Sequence, residues 1–187
     1  REQLKGLITE IASKEHEKGS VAQKIGDLYN LAMDVEKLNA DGMNPIKEEL
    51  DKIDAIKDKA GIIQAMADLT GSAYFQFYVG ADIMDSKNNI FQLHQGGIGL
   101  GQKEYYLEDD EATKNIREGY KAHIVKMFQL IGQDEKQATK NMEAVMEIET
   151  RLAKKAFSAV EQRNPAANYH MLTLDALKKE IAGFDWD

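Results

Sequence analysis

Four glycines lie close together in the middle of the chain, and such a cluster can cradle a phosphate group through its backbone N–H groups. They are Gly96, Gly97, Gly99 and Gly101. A P-loop requires Lys followed by Ser or Thr directly after the last glycine, whereas Gln102 follows Gly101 here. A dinucleotide-binding fingerprint requires a helix that begins among the glycines, and the sequence signals none. The cluster therefore favours an irregular loop in which backbone segments pack closely, rather than a phosphate or cofactor site.

Histidines are the next candidates for chemistry, because a chain without cysteine would hold zinc mainly through imidazole and carboxylate groups. The 4 histidines are His16, His94, His123 and His170. No two of them lie at the i, i+4 spacing of a helical zinc site, and the motif H-E-x-x-H is absent. We expect His16, between two glutamates, to be solvated and His123 to be partly buried. The spacing predicts no metal-binding residue in this chain.

No nucleophile motif is present either, since no serine lies within G-x-S-x-G. The acidic run Asp109-Asp110-Glu111 comes at a predicted helix start, where negative charge complements the helix dipole. The sequence therefore predicts no catalytic residue and no cofactor-binding residue.

Glu149 is the carboxylate with the most unusual position in the helical pattern. It shares a helix face with apolar residues three and four positions away, so it falls within the apolar stripe. A buried carboxylate requires a cationic or hydrogen-bonding partner. We predict a structural ion pair between Glu149 and Arg163, which follows this helix. The alternative is a catalytic acid, but no second catalytic group is signalled beside it.

Helical patterns dominate the elements that must position these residues. Capping residues and apolar repeats predict several helix starts. These starts are at Ser20, Asn44-Pro45, Asp109 or Asp110, Asp134 and Thr173.

Three further helix boundaries are expected from the apolar repeats and from glycine. The helix after Ser20 is expected to carry Val35, and Gly61 is expected to separate two helices. The helix after Asp134 is expected to continue to Val160.

One segment interrupts the helical pattern. Residues 74–84 are rich in aromatic and β-branched side chains, as strands prefer, and residues 85–89 have turn chemistry. An extended pattern resumes at Ile90, so we predict a β-hairpin over about residues 74–95. The expected fold class is mainly α, a bundle-like lobe of several helices with this one small hairpin.

Composition disfavours several classes of function. The chain has 187 residues with 32 acidic and 24 basic side chains, for a net charge of −8, which disfavours binding to nucleic acid or anionic membranes. No apolar run approaches the length of a membrane span, so no transmembrane segment is predicted. The chain opens inside an amphipathic helix without a cap, so we expect residues 1–187 to be a single segment of a longer protein.

Several short motifs occur in one order along the chain. The matching segments are Leu28–Asp34, Asp82–Leu107, Glu149–Ala153, Arg163–Leu177 and Phe184–Trp186. In this order they resemble the neprilysin and endothelin-converting-enzyme family of zinc metallopeptidases, which has a D-x-K-N turn, a Q-x-G-L-x-L segment and a Y-Y-L. Many secreted animal members have a cysteine where this chain has Ala32, so the resemblance implies a bacterial member.

The resemblance implies the amino-terminal helical lobe of a zinc-dependent endopeptidase. In that family the lobe encloses the substrate cavity and restricts access to short peptides. The zinc ligands of the family lie downstream on an H-E-x-x-H helix, which is absent here. The resemblance therefore implies zinc in the parent enzyme, none bound by this chain, and no activity of this chain alone. The implied partners are a carboxy-terminal catalytic lobe and oligopeptide substrates. The implied location is the bacterial cell envelope, periplasmic or secreted, with a cytoplasmic location as the alternative.

Two other interpretations stay open. The chain could be a stand-alone helical domain that binds peptides or a protein partner without catalysis. It could also be a degenerate relative that keeps the lobe and has lost the metal ligands. An excised lobe would expose apolar surface, so self-association is a further expectation.

Overall fold

The computed structural model describes residues 1–69, 73–184 and 186. The chain divides into two compact units, residues 1–48 and 49–187. The described residues form ten α-helices and one two-stranded antiparallel sheet, so the predicted mainly helical class with a single hairpin is confirmed.

The first unit contains a pair of packed helices and a short third helix. They are α1 (Glu2–Ala12), α2 (Val21–Met33) and α3 (Val35–Asp41). The pair packs closely at Gly26, where a Cβ atom would lie 3.4 Å from the Cα of Ala12. The absence of a side chain at this position therefore lets the two backbones approach.

Local side-chain caps set the helix boundaries of the first unit. The Ser20 hydroxyl accepts a hydrogen bond from the Gln23 N–H at 3.1 Å, which confirms the predicted cap. The Asp34 carboxylate accepts one from the Lys37 N–H at 2.9 Å and begins α3. The expectation that Val35 continues α2 is therefore wrong, because Asp34 ends one helix and caps the next.

The expected cap at Asn44 also differs from the structure. Residues Asn44–Ile46 form a 3-10 turn, and α4 (Lys47–Asp54) follows directly. The next helix, α5 (Lys59–Asp68), begins at Asp58, whose side chain accepts a hydrogen bond from the Gly61 N–H at 2.9 Å. Gly61 therefore lies in the first turn of α5, and the break that it was expected to make falls before Asp58.

The hairpin forms as predicted from β1 (Phe75–Ala81) and β2 (Asn89–Gln95). The register places Phe75 opposite Gln95 and Ala81 opposite Asn89. In the turn, the Asp85 carboxylate accepts hydrogen bonds from the Lys87 backbone N–H at 3.3 Å and from the side-chain amide of Asn88 at 2.8 Å. Aspartate that bonds to the following residues in this way favours a tight reversal.

Three helices follow the hairpin and build the centre of the second unit. They are the short α6 (Glu104–Leu107), α7 (Glu111–Leu130) and α8 (Glu135–Ala153). Asp110 accepts a hydrogen bond from the Thr113 N–H at 3.0 Å and Asp134 accepts one from the Gln137 N–H at 2.8 Å, so both predicted caps are confirmed.

The last of these helices ends earlier than the apolar repeat predicts. Ala153 is fully buried, and α8 ends there rather than at Val160. Beyond it, the Phe157 backbone exchanges hydrogen bonds of 2.7 and 3.0 Å with the Gln95 side chain of β2. These contacts to the hairpin replace the next helical turn.

The chain then returns along the hairpin through a 3-10 turn (Glu161–Arg163), α9 (Pro165–Asn168) and α10 (Leu174–Glu180). Thr173 caps α10 by accepting a hydrogen bond from the Ala176 N–H at 3.2 Å, as predicted. Asp185, part of the final aromatic motif, lies outside the described residues.

The hydrophobic core lies where α6, α7 and α8 meet the loop after β2. Its buried members are Tyr106, Ile124, Met146 and Ala153. Partly buried neighbours from the same elements are Ile98, Leu100, Tyr105, Tyr120, Phe128, Met142 and Val145.

Candidate functional site

The glycine-rich loop lies between β2 and α6 and packs directly on the core. Gly97 has a φ of 71°, and a Cβ atom at this position would collide with the backbone carbonyl of Ala73. A Cβ atom at Gly99 would collide with the hydroxyl of Tyr120. The loop is rich in glycine because other backbone and a tyrosine side chain approach it closely. This agrees with the prediction of an irregular loop in which backbone segments pack closely.

Glu149 lies at the centre of a polar network beneath this loop. Its Oε2 accepts a hydrogen bond from the Tyr106 hydroxyl at 2.6 Å, and its Oε1 accepts one from the Tyr120 hydroxyl at 3.0 Å. The Tyr106 hydroxyl oxygen in turn accepts a hydrogen bond from the backbone N–H of Leu100 at 2.9 Å. The network therefore joins α6, α7 and α8 to the glycine-rich loop.

A second set of contacts fixes the position of Tyr106. The Arg117 guanidinium on α7 donates hydrogen bonds to the carbonyls of Tyr106 at 2.5 Å and of Glu108 at 2.8 Å. A short helix leaves its last carbonyls without partners, and a cation at this end satisfies them. Arg117 thus holds α6 in the orientation that points Tyr106 at Glu149.

The electrostatics of the network keep both tyrosines as donors. Burial raises the pKa of the Tyr106 hydroxyl above its usual range, and its hydrogen bond to Glu149 adds to the effect. The pKa of Tyr120 is raised to about 12. Burial is the largest cause, and the charge of Glu149 and the hydrogen bond to Glu149 raise it further. A tyrosine with its ordinary pKa is already protonated at neutral pH, so the raised pKa values extend the donor role of both hydroxyls to more alkaline pH.

The structure gives Glu149 different partners from the one expected. Arg163 lies exposed in the 3-10 turn after α8, and the described part of the chain contains no ion pair between it and Glu149. The half-buried carboxylate meets the need for polar partners through tyrosine hydroxyls instead. The helical spacing of Tyr120 with Ile116 and Ile124 was the available signal, since it places the hydroxyl on the packed face of α7.

A cavity of about 490 Å³ opens between the hairpin, the glycine-rich loop and the end of α8. Glu149 lines it together with backbone of the loop and with small or amide side chains. The side chains that line it besides Glu149 are Ala73, Gln76, Gln95, Ile98, Ala156 and Gln162. We call this space the glycine-loop cavity.

The histidines do not converge on the glycine-loop cavity. His94 on β2 stacks on Tyr78 with ring centroids 5.2 Å apart, and its Nε2 lies 3.0 Å from the Tyr78 hydroxyl. His16 is half-buried with Nε2 2.8 Å from the Ile11 carbonyl oxygen. His123 and His170 are exposed, so the expectations of a solvated His16 and a partly buried His123 are both wrong.

The described residues do not supply a metal site. Within residues 1–69, 73–184 and 186, no group of three or more His, Cys, Asp or Glu side chains could hold a metal ion. Glu149 is the acidic side chain that lines the glycine-loop cavity, and both of its oxygens accept hydrogen bonds from tyrosines. This arrangement stabilises an anion, and among the described residues that line the cavity there is no serine, threonine or lysine beside it.

A second cavity, of about 520 Å³, is lined by apolar and aromatic side chains between α5, the hairpin and α10. The rings of Trp186 and Phe184 contact each other there at a tilt of 35°, with centroids 4.2 Å apart, and the ring centroid of Phe75 lies 5.9 Å from that of Phe184. No helix among the described residues has the length and apolar character needed to cross a membrane.

Comparison with known proteins identifies the relatives of this fold. The family model for the amino-terminal part of peptidase family M13 matches residues 1–187. Human endothelin-converting enzyme 1 is 30% identical over 116 residues, which are 62% of this chain and 15% of that protein. Neprilysin-3 of Drosophila melanogaster is 28% identical over 112 residues, which are 60% of this chain and 14% of that protein.

Solved structures match over nearly the whole chain. The zinc metalloprotease Zmp1 of Mycobacterium tuberculosis in its open state aligns with a TM-score of 0.82 and 32% identity. The alignment covers 98% of this chain and 29% of Zmp1. Zmp1 in complex with an inhibitor aligns with a TM-score of 0.83 at the same identity and covers 28% of that chain. The chain thus spans less than a third of the proteins that it resembles.

Proposed function

The chain belongs to peptidase family M13, and on that basis we propose that it is the amino-terminal, non-catalytic lobe of a zinc-dependent endopeptidase. The observation that carries the proposal is the match to Zmp1, in which 98% of this chain corresponds to 29% of the longer protein. A helical segment of that share is the size expected for one lobe of a larger enzyme. The catalytic groups would then lie in the remainder of the protein.

The described residues of this chain do not fit the zinc that the family implies. The described residues bring no three potential zinc ligands together. Both carboxylate oxygens of the half-buried Glu149 already accept hydrogen bonds from tyrosine hydroxyls. We therefore assign no step of peptide hydrolysis to this chain. Zinc and the general base would belong to the carboxy-terminal catalytic lobe.

In this proposal the lobe encloses the substrate cavity and admits short peptides only. Size selection requires a wall that keeps its shape, and two long-range connections support such rigidity. The Glu149 network joins the glycine-rich loop to α8, and the paired hydrogen bonds between Gln95 and Phe157 join the hairpin to the segment after α8. Both connections fix loop segments by hydrogen bonds that a flexible wall would lack.

The proposed partner is the carboxy-terminal catalytic lobe of the same protein. Apolar side chains at the distal end of the hairpin support this partner, because Val79, Ile83 and Met84 are 70%, 61% and 72% exposed. Exposed apolar side chains concentrated in one short part of a fold are typical of surfaces that another protein region covers.

The coding sequence downstream of residue 187 tests the proposal first. We expect a long continuation that contains H-E-x-x-H and a further glutamate. A stop codon close to residue 187 would contradict the proposal and favour a stand-alone binding domain. A long continuation without the metal motif would indicate a degenerate relative.

The size-selection function has a separate test in the intact enzyme. Hydrolysis of a short peptide and of a long unfolded polypeptide would be compared between the whole protein and a variant that lacks this lobe. We expect the whole protein to cleave only the short peptide. We expect the variant without the lobe to cleave both the short peptide and the long polypeptide. Cleavage of the long polypeptide by the whole protein would contradict a size filter.

A further inference from the structure

The glycine-loop cavity combines a carboxylate that has no ion-pair partner with a space large enough for a small ligand. Its volume of about 490 Å³ falls within the range of about 300–1,000 Å³ that is usual for ligand sites. Glu149 is the acidic residue in its lining, and it is half-buried. A carboxylate removed from water in this way gains from a cation beside it.

The chain does not provide that cation to Glu149. Within the described residues no Lys, Arg or His nitrogen forms an ion pair with this carboxylate. The undescribed positions, Thr70, Gly71, Ser72, Asp185 and Asp187, include no basic residue. The negative charge therefore remains available to a ligand.

The tyrosine contacts leave acceptor capacity on Glu149. A carboxylate offers about four acceptor positions, and the hydroxyls of Tyr106 and Tyr120 use one on each oxygen. Both hydroxyls are neutral donors, so they hold the carboxylate in place without cancelling its charge. Two open positions on a fixed anion suit a group that donates several hydrogen bonds.

The rest of the lining also presents acceptors. The Ala156 carbonyl already accepts a hydrogen bond from the ammonium group of Lys103 at 2.9 Å, so it is an occupied acceptor and the ligand would use others. Gln162 lines the same space and donates to the Phe157 carbonyl through its Nε2, which leaves its amide oxygen as an acceptor. Acceptors around an anion select a cation over an anion or an apolar ligand.

We propose that the glycine-loop cavity is a binding site for a primary ammonium group, with Glu149 as its counter-ion. A free alkylamine and the lysine side chain of a peptide share this chemistry. The proposal uses only residues of this chain, so it stands or falls independently of the peptidase-lobe function.

The test is a titration of the 187-residue, ¹⁵N-labelled chain with n-butylammonium, followed by the backbone amide signals of Gly96, Gly99 and Gly101. n-Butanol, which has a similar shape and no charge, is the matched ligand control. We expect saturable shifts with a Kd in the millimolar range for the ammonium ion and at least about tenfold weaker binding of butanol. Equal effects of the two ligands would overturn the proposal.

Two variants assign the site. Glu149→Gln keeps the shape and removes the charge, and we expect it to lower the affinity at least about tenfold. Glu147→Gln on the exposed side of α8 is the matched control and should bind as the parent chain does. Unchanged binding by Glu149→Gln would overturn the proposal.

Ala156→Leu tests the site even where Glu149→Gln disturbs the fold. The larger side chain fills part of the cavity and leaves the Glu149 network intact, so we expect binding to be lost. Binding that survives this change would overturn the proposal.

In a parallel titration, stronger binding of acetyl-Gly-Lys-Gly-amide than of butylammonium would identify a peptide lysine as the source of the cation. Weaker binding of that peptide would identify a small free amine, and either result supports an ammonium site.

Discussion

The α1–α2 pair and the core around Glu149 are both built from amphipathic helices, but only the second buries its apolar side chains. Leu28 on α2 is 68% exposed, whereas Ile124 on α7 is 7% exposed. No residue of α1 is buried, and Gly26 is the buried residue of α2. An apolar stripe thus predicts a face that needs to be covered, but it does not say which segment covers it.

The two regions also differ in what connects their elements. Capping bonds between residues three apart set the helix starts at Ser20 and Asp34 in the first unit. In the second unit the Glu149 network spans three helices and a loop, with partners 43 and 29 residues away in sequence. We therefore expect single substitutions to cost far more in the second unit.

The largest contrast should come from truncation of one apolar side chain in each region. Ile124→Ala leaves a cavity in the core and should lower the free energy of unfolding by about 4 kcal/mol. Leu28→Ala changes an exposed position and should cost about 0.5 kcal/mol or less. Guanidinium denaturation followed by fluorescence of Trp186, the single tryptophan, measures the second unit, and circular dichroism measures both. Equal costs would show that the α1–α2 leucines are covered in solution.

Glu149→Ala should cost nearly as much as the core truncation. It leaves the hydroxyls of Tyr106 and Tyr120 without their acceptor, and each stranded donor costs about 1–3 kcal/mol, so we expect a loss of about 3 kcal/mol. Glu147→Ala on the exposed side of the same helix is the control and should change little. An unchanged denaturation midpoint for Glu149→Ala would contradict a structural role for the network.

Gly99→Ala tests the close approach of the loop to the network. The added methyl group would collide with the Tyr120 hydroxyl, so we expect a loss of about 2 kcal/mol. Gly119→Ala on α7 is the matched control, since apart from the neighbouring backbone of the same helix no atom lies within 4 Å of its Cβ position. It should stabilise the chain by about 1 kcal/mol through helix propensity. Stabilisation by both changes would show that the loop has room at Gly99.

Tyr120→Phe should give a smaller loss with a characteristic dependence on pH. Removal of its hydrogen bond to Glu149 should cost about 1 kcal/mol at neutral pH. Because folding raises the pKa of Tyr120 from 10.0 to about 12, the stability from the protonated hydroxyl is complete below pH 10. It is lost as the pH rises through the folded value. The difference between parent and variant should therefore shrink from pH 10 to about 12, and a constant difference would contradict the assignment.

The features that sequence predicts well are those determined by neighbouring residues. The caps at Ser20, Asp110, Asp134 and Thr173 and the hairpin turn at Asp85 each depend on residues two or three positions away. The cap at Asp58 is equally local, because it bonds to Gly61 three residues on, and it places this glycine in the first turn of α5 rather than at a break.

The features that sequence does not predict depend on distant contacts. The end of α8 follows from the bonds between Phe157 and Gln95, which are 62 residues apart. The partners of Glu149 follow in the same way from the fold, because helical spacing shows that a carboxylate is buried but not which hydroxyl or guanidinium reaches it. The glycine-loop cavity is likewise visible only once the hairpin and α8 are placed.

The most direct test of the central claim is the chemistry of the purified 187-residue chain. Its zinc content would be measured by atomic absorption after equilibration with zinc, and its activity would be measured with a fluorogenic short peptide. A non-catalytic lobe predicts no stoichiometric zinc and no hydrolysis above buffer. One zinc ion per chain together with hydrolysis that a chelator abolishes would contradict the account.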